Sequence, residues 1–172
     1  MSNFICGSKK HELIGVDNDV ITISVSFENL QEEIRAHEET LYLPSPFHVS
    51  LVYIGKIIQR YNVTIPDFRT KILNDFCEFT KENEVDIVGY RDEYRFCSRD
   101  GIKKTVVVMC EVSNLNRFFD FINAKYGLNI RYPTTHATLY NTLKGEPGIS
   151  LMDEDDIRKF TVLIPNPIGR SL

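Results

Sequence analysis

Two short stretches of the sequence place a histidine two residues before a hydroxyl side chain. The first is His48-Val-Ser50-Leu and the second is His136-Ala-Thr138-Leu, one in each half of the chain. Each stretch follows a proline closely and has the alternating, β-rich pattern of a strand. Side chains two apart on a strand share a face, with Cα atoms roughly 6.5–7 Å apart. Each motif therefore places an imidazole beside a hydroxyl.

Such a pair of motifs is suited to breaking a P–O bond. In-line displacement at phosphorus needs one group to take a proton from the nucleophile and another to give a proton to the leaving oxygen, each worth about 10²–10⁴ in rate. Histidine titrates near pH 6.5, so His48 and His136 can supply one neutral and one protonated ring. The hydroxyls of Ser50 and Thr138 can donate to the phosphoryl oxygens. This scheme needs no metal, and the sequence lacks clustered Asp/His spacing that would favour one.

The two motifs resemble those of the two-histidine (2H) phosphoesterase superfamily, which includes 2′–5′ RNA ligase-like proteins, 1,2-cyclic nucleotide phosphodiesterases and enzymes that degrade cyclic oligonucleotide signals. The run from His48 to Gly55, with Tyr53-Ile-Gly55 at its end, is similar to the family's first motif. The second motif matches the family's core but lacks a following glycine. The resemblance covers about ten residues at each motif.

The resemblance implies an α+β fold in which two antiparallel-rich sheets flank a central cleft, with helices outside. Residues 1–172 would then form a single domain of two pseudo-symmetric lobes, each carrying one motif. It also implies that His136 is the general base that activates water. His48 would be the general acid at the leaving 3′-oxygen of a 2′,3′-cyclic phosphate. The sequence itself does not order the two histidines.

These observations predict a metal-independent phosphodiesterase, without a cofactor, acting on a 2′,3′-cyclic phosphate or a related RNA-type phosphodiester. A 2′–5′ linkage and a cyclic oligonucleotide signal are alternative substrates. A different reading is a binding module that holds a nucleotide or RNA end without turnover, and a third is that both histidines are structural.

The net charge of the chain limits the kind of nucleic acid that it can bind. The formal net charge is −4, whereas proteins that grip long nucleic acids by counterion release carry a basic surplus. We therefore expect a nucleotide or short oligonucleotide, not a long duplex, bound by a monomer. The substrate-binding candidates are Tyr42, Arg95, Arg131, Tyr140 and Lys144, of which Tyr140 is expected on the face of His136 because its offset is even.

The remaining pattern predicts how these strands are supported. Strands are expected at 20–27 and 105–110. An amphipathic helix is expected at 29–40, with Leu30, Ile34, His37 and Leu41 along one stripe. Two further helices are expected to bury the stripes Phe68, Ile72, Phe76, Phe79 and Leu115, Phe118, Phe119, Ile122, Tyr126. Four cysteines without C-x-x-C spacing predict reduced thiols in a cytoplasmic protein. No apolar run is long enough to span a bilayer.

Overall fold

The structure is a computed structural model that describes residues 3–6, 10–44 and 46–172. Its helices and antiparallel strands form an α+β arrangement, which confirms the predicted class. The helices are α1 (Ile54–Arg60), α2 (Phe68–Glu82), α3 (Leu115–Tyr126) and α4 (Glu154–Phe160). The strands are β1 (Asn3–Phe4), β2 (His11–Ile14), β3 (Val20–Val25), β4 (Glu33–Ala36), β5 (Glu39–Tyr42), β6 (Phe47–Tyr53), β7 (Ile87–Ser98), β8 (Lys104–Val112), β9 (His136–Asn141) and β10 (Thr161–Ile164). Across the described ranges, no helix is long and apolar enough to cross a membrane.

The chain divides into two compact units that do not follow the two halves of the sequence. The first unit is Met1–Ser24, Ser50–Ile87 and Val112–Pro133, and the second is Val25–Val49, Val88–Glu111 and Thr134–Leu172. His48, His136 and Thr138 all belong to the second unit, whereas Ser50 begins the middle segment of the first.

In the first unit, strands run in the order β1-β2-β3-β6, and the α2 and α3 stripes form its helical core. Phe68, Ile72 and Phe76 of α2 are buried, as are Leu115, Phe118, Phe119 and Ile122 of α3, whereas the predicted positions Phe79 and Tyr126 are half-buried. The apolar spacing predicted both helices because the residues that recur every three to four positions lie on one face. A buried carboxylate joins the helices: Asp75 accepts hydrogen bonds from Lys125 at 2.6 Å and from the Tyr126 hydroxyl at 2.5 Å.

The second unit is built on the strand order β6-β9-β8-β7-β10, with the β4–β5 hairpin joined to β9 through the pairing of Tyr42 with Asn141. Strands β5, β6 and β8 all pair with β9 in antiparallel register. The strand that carries the second histidine motif is therefore an interior strand of this unit, and its neighbours determine which side chains meet it.

The predicted helix at 29–40 is wrong, because this segment folds as the β4–β5 hairpin. Its turn consists of His37 and Glu38, both at positive φ (48° and 65°), a pairing of conformations that matches the right-handed twist of hairpin strands. Ile34 and Leu41, predicted on one helical stripe, are instead cross-strand neighbours and are both buried. Two apolar residues seven positions apart can lie on one face of a helix or face each other across a hairpin. The two-residue turn at His37 and Glu38 produces the hairpin.

The prediction of four reduced thiols is also wrong for one pair. Cys6 and Cys77 form a disulfide within the first unit, at a sequence separation of 71. Cys97 and Cys110 are free and buried, as expected. A pairing over such a separation depends on how the first strands pack near α2, which no local spacing reveals.

Candidate functional site

The register of β6 and β9 brings the two histidine motifs together. Val49 pairs with Ala137 in an antiparallel arrangement, so the next residue outward places His48 directly opposite Thr138. Directly opposite side chains share a face with Cβ atoms about 4.5–5.5 Å apart, and diagonal neighbours are about 7–8 Å apart. His136, two residues from Thr138 on β9, is the diagonal neighbour of His48. One face of this strand pair therefore carries both rings and the threonine hydroxyl.

Ser50 follows His48 by two residues on β6 but belongs to the first unit. The residue is 8% exposed.

A bulge in β9 changes the face of the residues that follow the motif. Val107 pairs with Thr138 and Val106 with Tyr140, which leaves Leu139 as the extra residue. Because Val106 and Val107 are consecutive, their partners point to opposite faces. Tyr140 therefore points away from the face of the histidines, is fully buried, and donates its hydroxyl to the carbonyl of Gln31 at 3.1 Å. The prediction that Tyr140 shares the face of His136 is wrong for this reason.

The segment from Gly145 to Met152, which we call the covering segment, lies against the face that carries the histidines. Its backbone carbonyls are held by side chains: Lys103 donates to Pro147 at 2.6 Å and Arg99 donates to Ser150 at 2.9 Å. Its apolar side chains Ile149 and Leu151 enter a buried cluster with residues of β7, β8 and α4, namely Cys97, Val107, Met109 and Ile157. Packing and hydrogen bonds together fix the segment in place.

Gly148 is the point of closest approach between the covering segment and the second motif. A Cβ atom built on Gly148 would lie 2.3 Å from Oγ1 of Thr138 and 3.2 Å from its Cβ. Real Cβ atoms do not approach other atoms so closely, and the short threonine side chain has little freedom to move aside. Glycine at position 148 is therefore what lets the backbone pass over the Thr138 hydroxyl.

His136 is buried beneath this segment, with 6% of its surface exposed. Its ring is hydrogen-bonded to the backbone carbonyl of Ile149, and Nδ1 has no partner among the described residues, which makes Nε2 the donor. Burial lowers the pKa of His136 to about 4, helped by the positive charge of His48 and opposed by the bond to Ile149. His136 is therefore neutral at pH 7, with its lone pair on Nδ1.

His48 is half-buried, and its influence on the pKa of His136 places the two rings within electrostatic reach. This agrees with the proximity given by the strand register. A neutral imidazole, a second imidazole and a hydroxyl on one face are the groups that general acid–base catalysis requires.

The other predicted substrate-binding residues fall in different places. Lys144 and Tyr42 lie together, with Nζ 4.5 Å from the centre of the tyrosine ring. Arg95 is held on β7 by Glu93 at 2.8 Å and donates to the Thr161 hydroxyl at 3.1 Å. Its guanidinium is thus occupied by neighbours within the strand layer.

Arg131 belongs to the first unit, in the exposed connection that follows α3. Its backbone N–H donates to the hydroxyl of Tyr61 at 3.1 Å. Within the residues that the structure describes, no group of three or more His, Cys, Asp and Glu side chains is arranged to hold a metal ion.

Sequence reasoning missed three residues that shape this site: Asn141, Gly148 and Ile149. Asn141 is 1% exposed and donates to the carbonyls of Glu146 at 2.9 Å and Pro147 at 3.2 Å. The only sequence signal was the Gly145-Glu-Pro-Gly148 loop immediately after the second motif. That signal indicates a turn but not which strand the turn folds onto.

Comparisons with protein-family models, with curated proteins and with solved structures find no match to this chain.

Replacing Gly148 by alanine should disturb the site while the fold persists. The added methyl group must displace either the covering segment or the Thr138 side chain. The measurement is the NMR signals of the Thr138 and His136 side chains, which report this displacement, together with the thermal midpoint. Gly89→Ala is the matched control, because a Cβ at Gly89 meets nothing within 4 Å. Equal behaviour of the two variants would contradict the close contact between Gly148 and Thr138.

The electrostatic contact between the histidines predicts a shift that NMR can measure without any substrate. In a pH titration of the ring resonances, His136 should titrate near pH 4 and should move to a higher pKa in His48→Gln, because a neighbouring positive charge is removed. His37→Asn is the control, since His37 lies at a turn position with φ of 48° that asparagine accepts. An unchanged pKa of His136 in His48→Gln would show that the two rings are not close.

Proposed function

We propose that this chain is a 2H phosphoesterase-like enzyme that hydrolyses a 2′,3′-cyclic phosphate or a related RNA-type phosphodiester without a metal. The observation that carries the proposal is the pairing of Val49 with Ala137, which puts His48, Thr138 and His136 on one face. Two separate motifs with the same residue pattern meet across one antiparallel strand pair. The proposal includes the two-sheet, pseudo-symmetric fold of that superfamily.

In this mechanism His136 is the general base. Its neutral state above about pH 4 leaves a lone pair on Nδ1, a buried atom that can accept a proton once the substrate and water reach it, while the bond from its other nitrogen to Ile149 fixes the ring orientation. Water attacks phosphorus as its proton passes to His136, and the P–O bond to the leaving oxygen breaks. The low pKa keeps His136 neutral in the free protein. An anionic phosphodiester beside the ring would raise the pKa of His136 toward neutrality.

His48 is the general acid that gives its proton to the leaving 3′-oxygen. By the strand register it is the cross-strand neighbour of Thr138 and the diagonal neighbour of His136. The Thr138 hydroxyl donates to a phosphoryl oxygen, and the hydroxyl of the first motif, Ser50, is proposed for the same role. Proton exchange with water then restores both histidines.

A panel of substrates assayed in EDTA tests this proposal. The panel holds 2′,3′-cyclic mononucleotides, RNA ending in a cyclic phosphate, a 2′–5′ dinucleotide and cyclic oligonucleotides. At least one member should be hydrolysed in chelator, and His48→Ala and His136→Ala should each lower its rate by about 10²–10⁴ because each removes a proton-transfer group.

The control is His37→Asn, which removes a histidine that stacks on Phe96 in the same unit and should keep most of the activity. Absence of hydrolysis across the panel, or equal rates in the parent and the two alanine variants, would sink the enzymatic proposal. Tight binding of a panel member without turnover would identify the chain as a nucleotide-binding module instead.

A further inference from the structure

Lys144 and Tyr42 form a defined cation–aromatic pair at one end of the face that carries the histidines. The ammonium nitrogen lies 4.5 Å from the centre of the Tyr42 ring, within the range of a cation–π contact. Tyr42 is half-buried while Lys144 is exposed. The ring therefore restrains a positive charge that stays open to solvent and to an anionic ligand.

The side chain of Asn141 is hydrogen-bonded to the turn that carries Lys144. The buried amide of Asn141 donates to the carbonyls of Glu146 and Pro147, and its oxygen accepts from the backbone N–H of Leu143 at 3.3 Å. The chain thus wraps around a single side chain, with Lys144 at the outer part of the turn. The lysine backbone is held by β9 itself and by the start of the covering segment.

The strand register places this pair close to the histidines and on their face. Tyr42 is opposite Asn141, and His48 is opposite Thr138. On the neighbouring strand, the partners of Asn141 and Thr138 are Thr105 and Val107, which are two residues apart and share a face. Two residues of strand correspond to about 7 Å. The Tyr42–Lys144 pair therefore lies one short step along the sheet from His48.

We propose that Lys144, held over Tyr42, binds the phosphate of the nucleotide adjacent to the one that is cleaved, so that the preferred substrate is an oligonucleotide rather than a mononucleotide. This inference rests on the proposed function. A lysine acts on phosphate as a point charge on a flexible stem, so Lys144 suits a phosphate that lies beside the scissile one. Lys104, by contrast, is neutralised by Glu39 and does not offer a free charge to the same ligand.

The test compares a dinucleotide that ends in a 2′,3′-cyclic phosphate with the corresponding 2′,3′-cyclic mononucleotide, which lacks the internal phosphate. The parent protein should favour the dinucleotide in kcat/KM. Lys144→Gln should reduce that preference by roughly tenfold, the worth of one charge-assisted hydrogen bond, mainly through KM. Lys144→Arg should retain most of the preference, and Tyr42→Leu should weaken it because the lysine loses its restraint.

Lys159→Gln is the matched control, because Lys159 also lies over an aromatic ring of the same unit, 5.2 Å from the centre of Phe160, but on α4. It should keep the dinucleotide preference. If Lys144→Gln and Lys159→Gln lose the dinucleotide preference equally, the effect comes from the general surface charge, and the proposal is overturned. A parent protein that shows no preference for the dinucleotide would also overturn it.

Binding of the same two ligands to His136→Gln separates this inference from the proposed function. If the parent protein cleaves no member of the panel but the dinucleotide binds more tightly in a Lys144-dependent way, the phosphate subsite stands and the enzymatic proposal fails. If cleavage occurs without any dependence on Lys144, the subsite fails and the enzymatic proposal stands. If neither ligand binds and no member of the panel is cleaved, both are overturned.

Discussion

The antiparallel pairing of β6 with β9 is the constraint on which the candidate site depends. Val49 and Ala137 are both fully buried on the face opposite the histidines, and Ala137 also pairs with Val108 of β8. A slip of one residue would exchange the faces of these apolar side chains and of the histidines. Burial of the apolar face thus fixes the face on which the two histidines lie.

The covering segment gives one of the two histidines a different environment from the other. Packing of Ile149 and Leu151 into the core carries the backbone over β9, and this burial is what lowers the pKa of His136. His48 stays half-buried on its own strand. One of the two histidines on this face is thereby kept neutral at pH 7.

Local sequence pattern predicted the strands of both motifs and the helical stripes of α2 and α3, because period-two and period-3.6 burial are properties of short segments. The local pattern gave wrong predictions where the structure depends on a turn or on contacts between distant segments. The hairpin at His37 and Glu38 replaced a predicted helix because two residues in the left-handed conformation reverse the chain. The bulge at Leu139 turned Tyr140 to the opposite face, and only the register with β8 reveals it. The Cys6–Cys77 disulfide joins segments that are distant in sequence.

The central claim is that His48 and His136 act as one catalytic unit, and a double-mutant cycle on kcat/KM measures that directly. The rates of His48→Ala, His136→Ala and the double variant would be compared with the parent on the best substrate. Groups that act together in one transition state show strongly non-additive losses, so the double variant should be about as impaired as the worse single variant. Losses that multiply independently would contradict a shared site and would assign the two histidines separate roles.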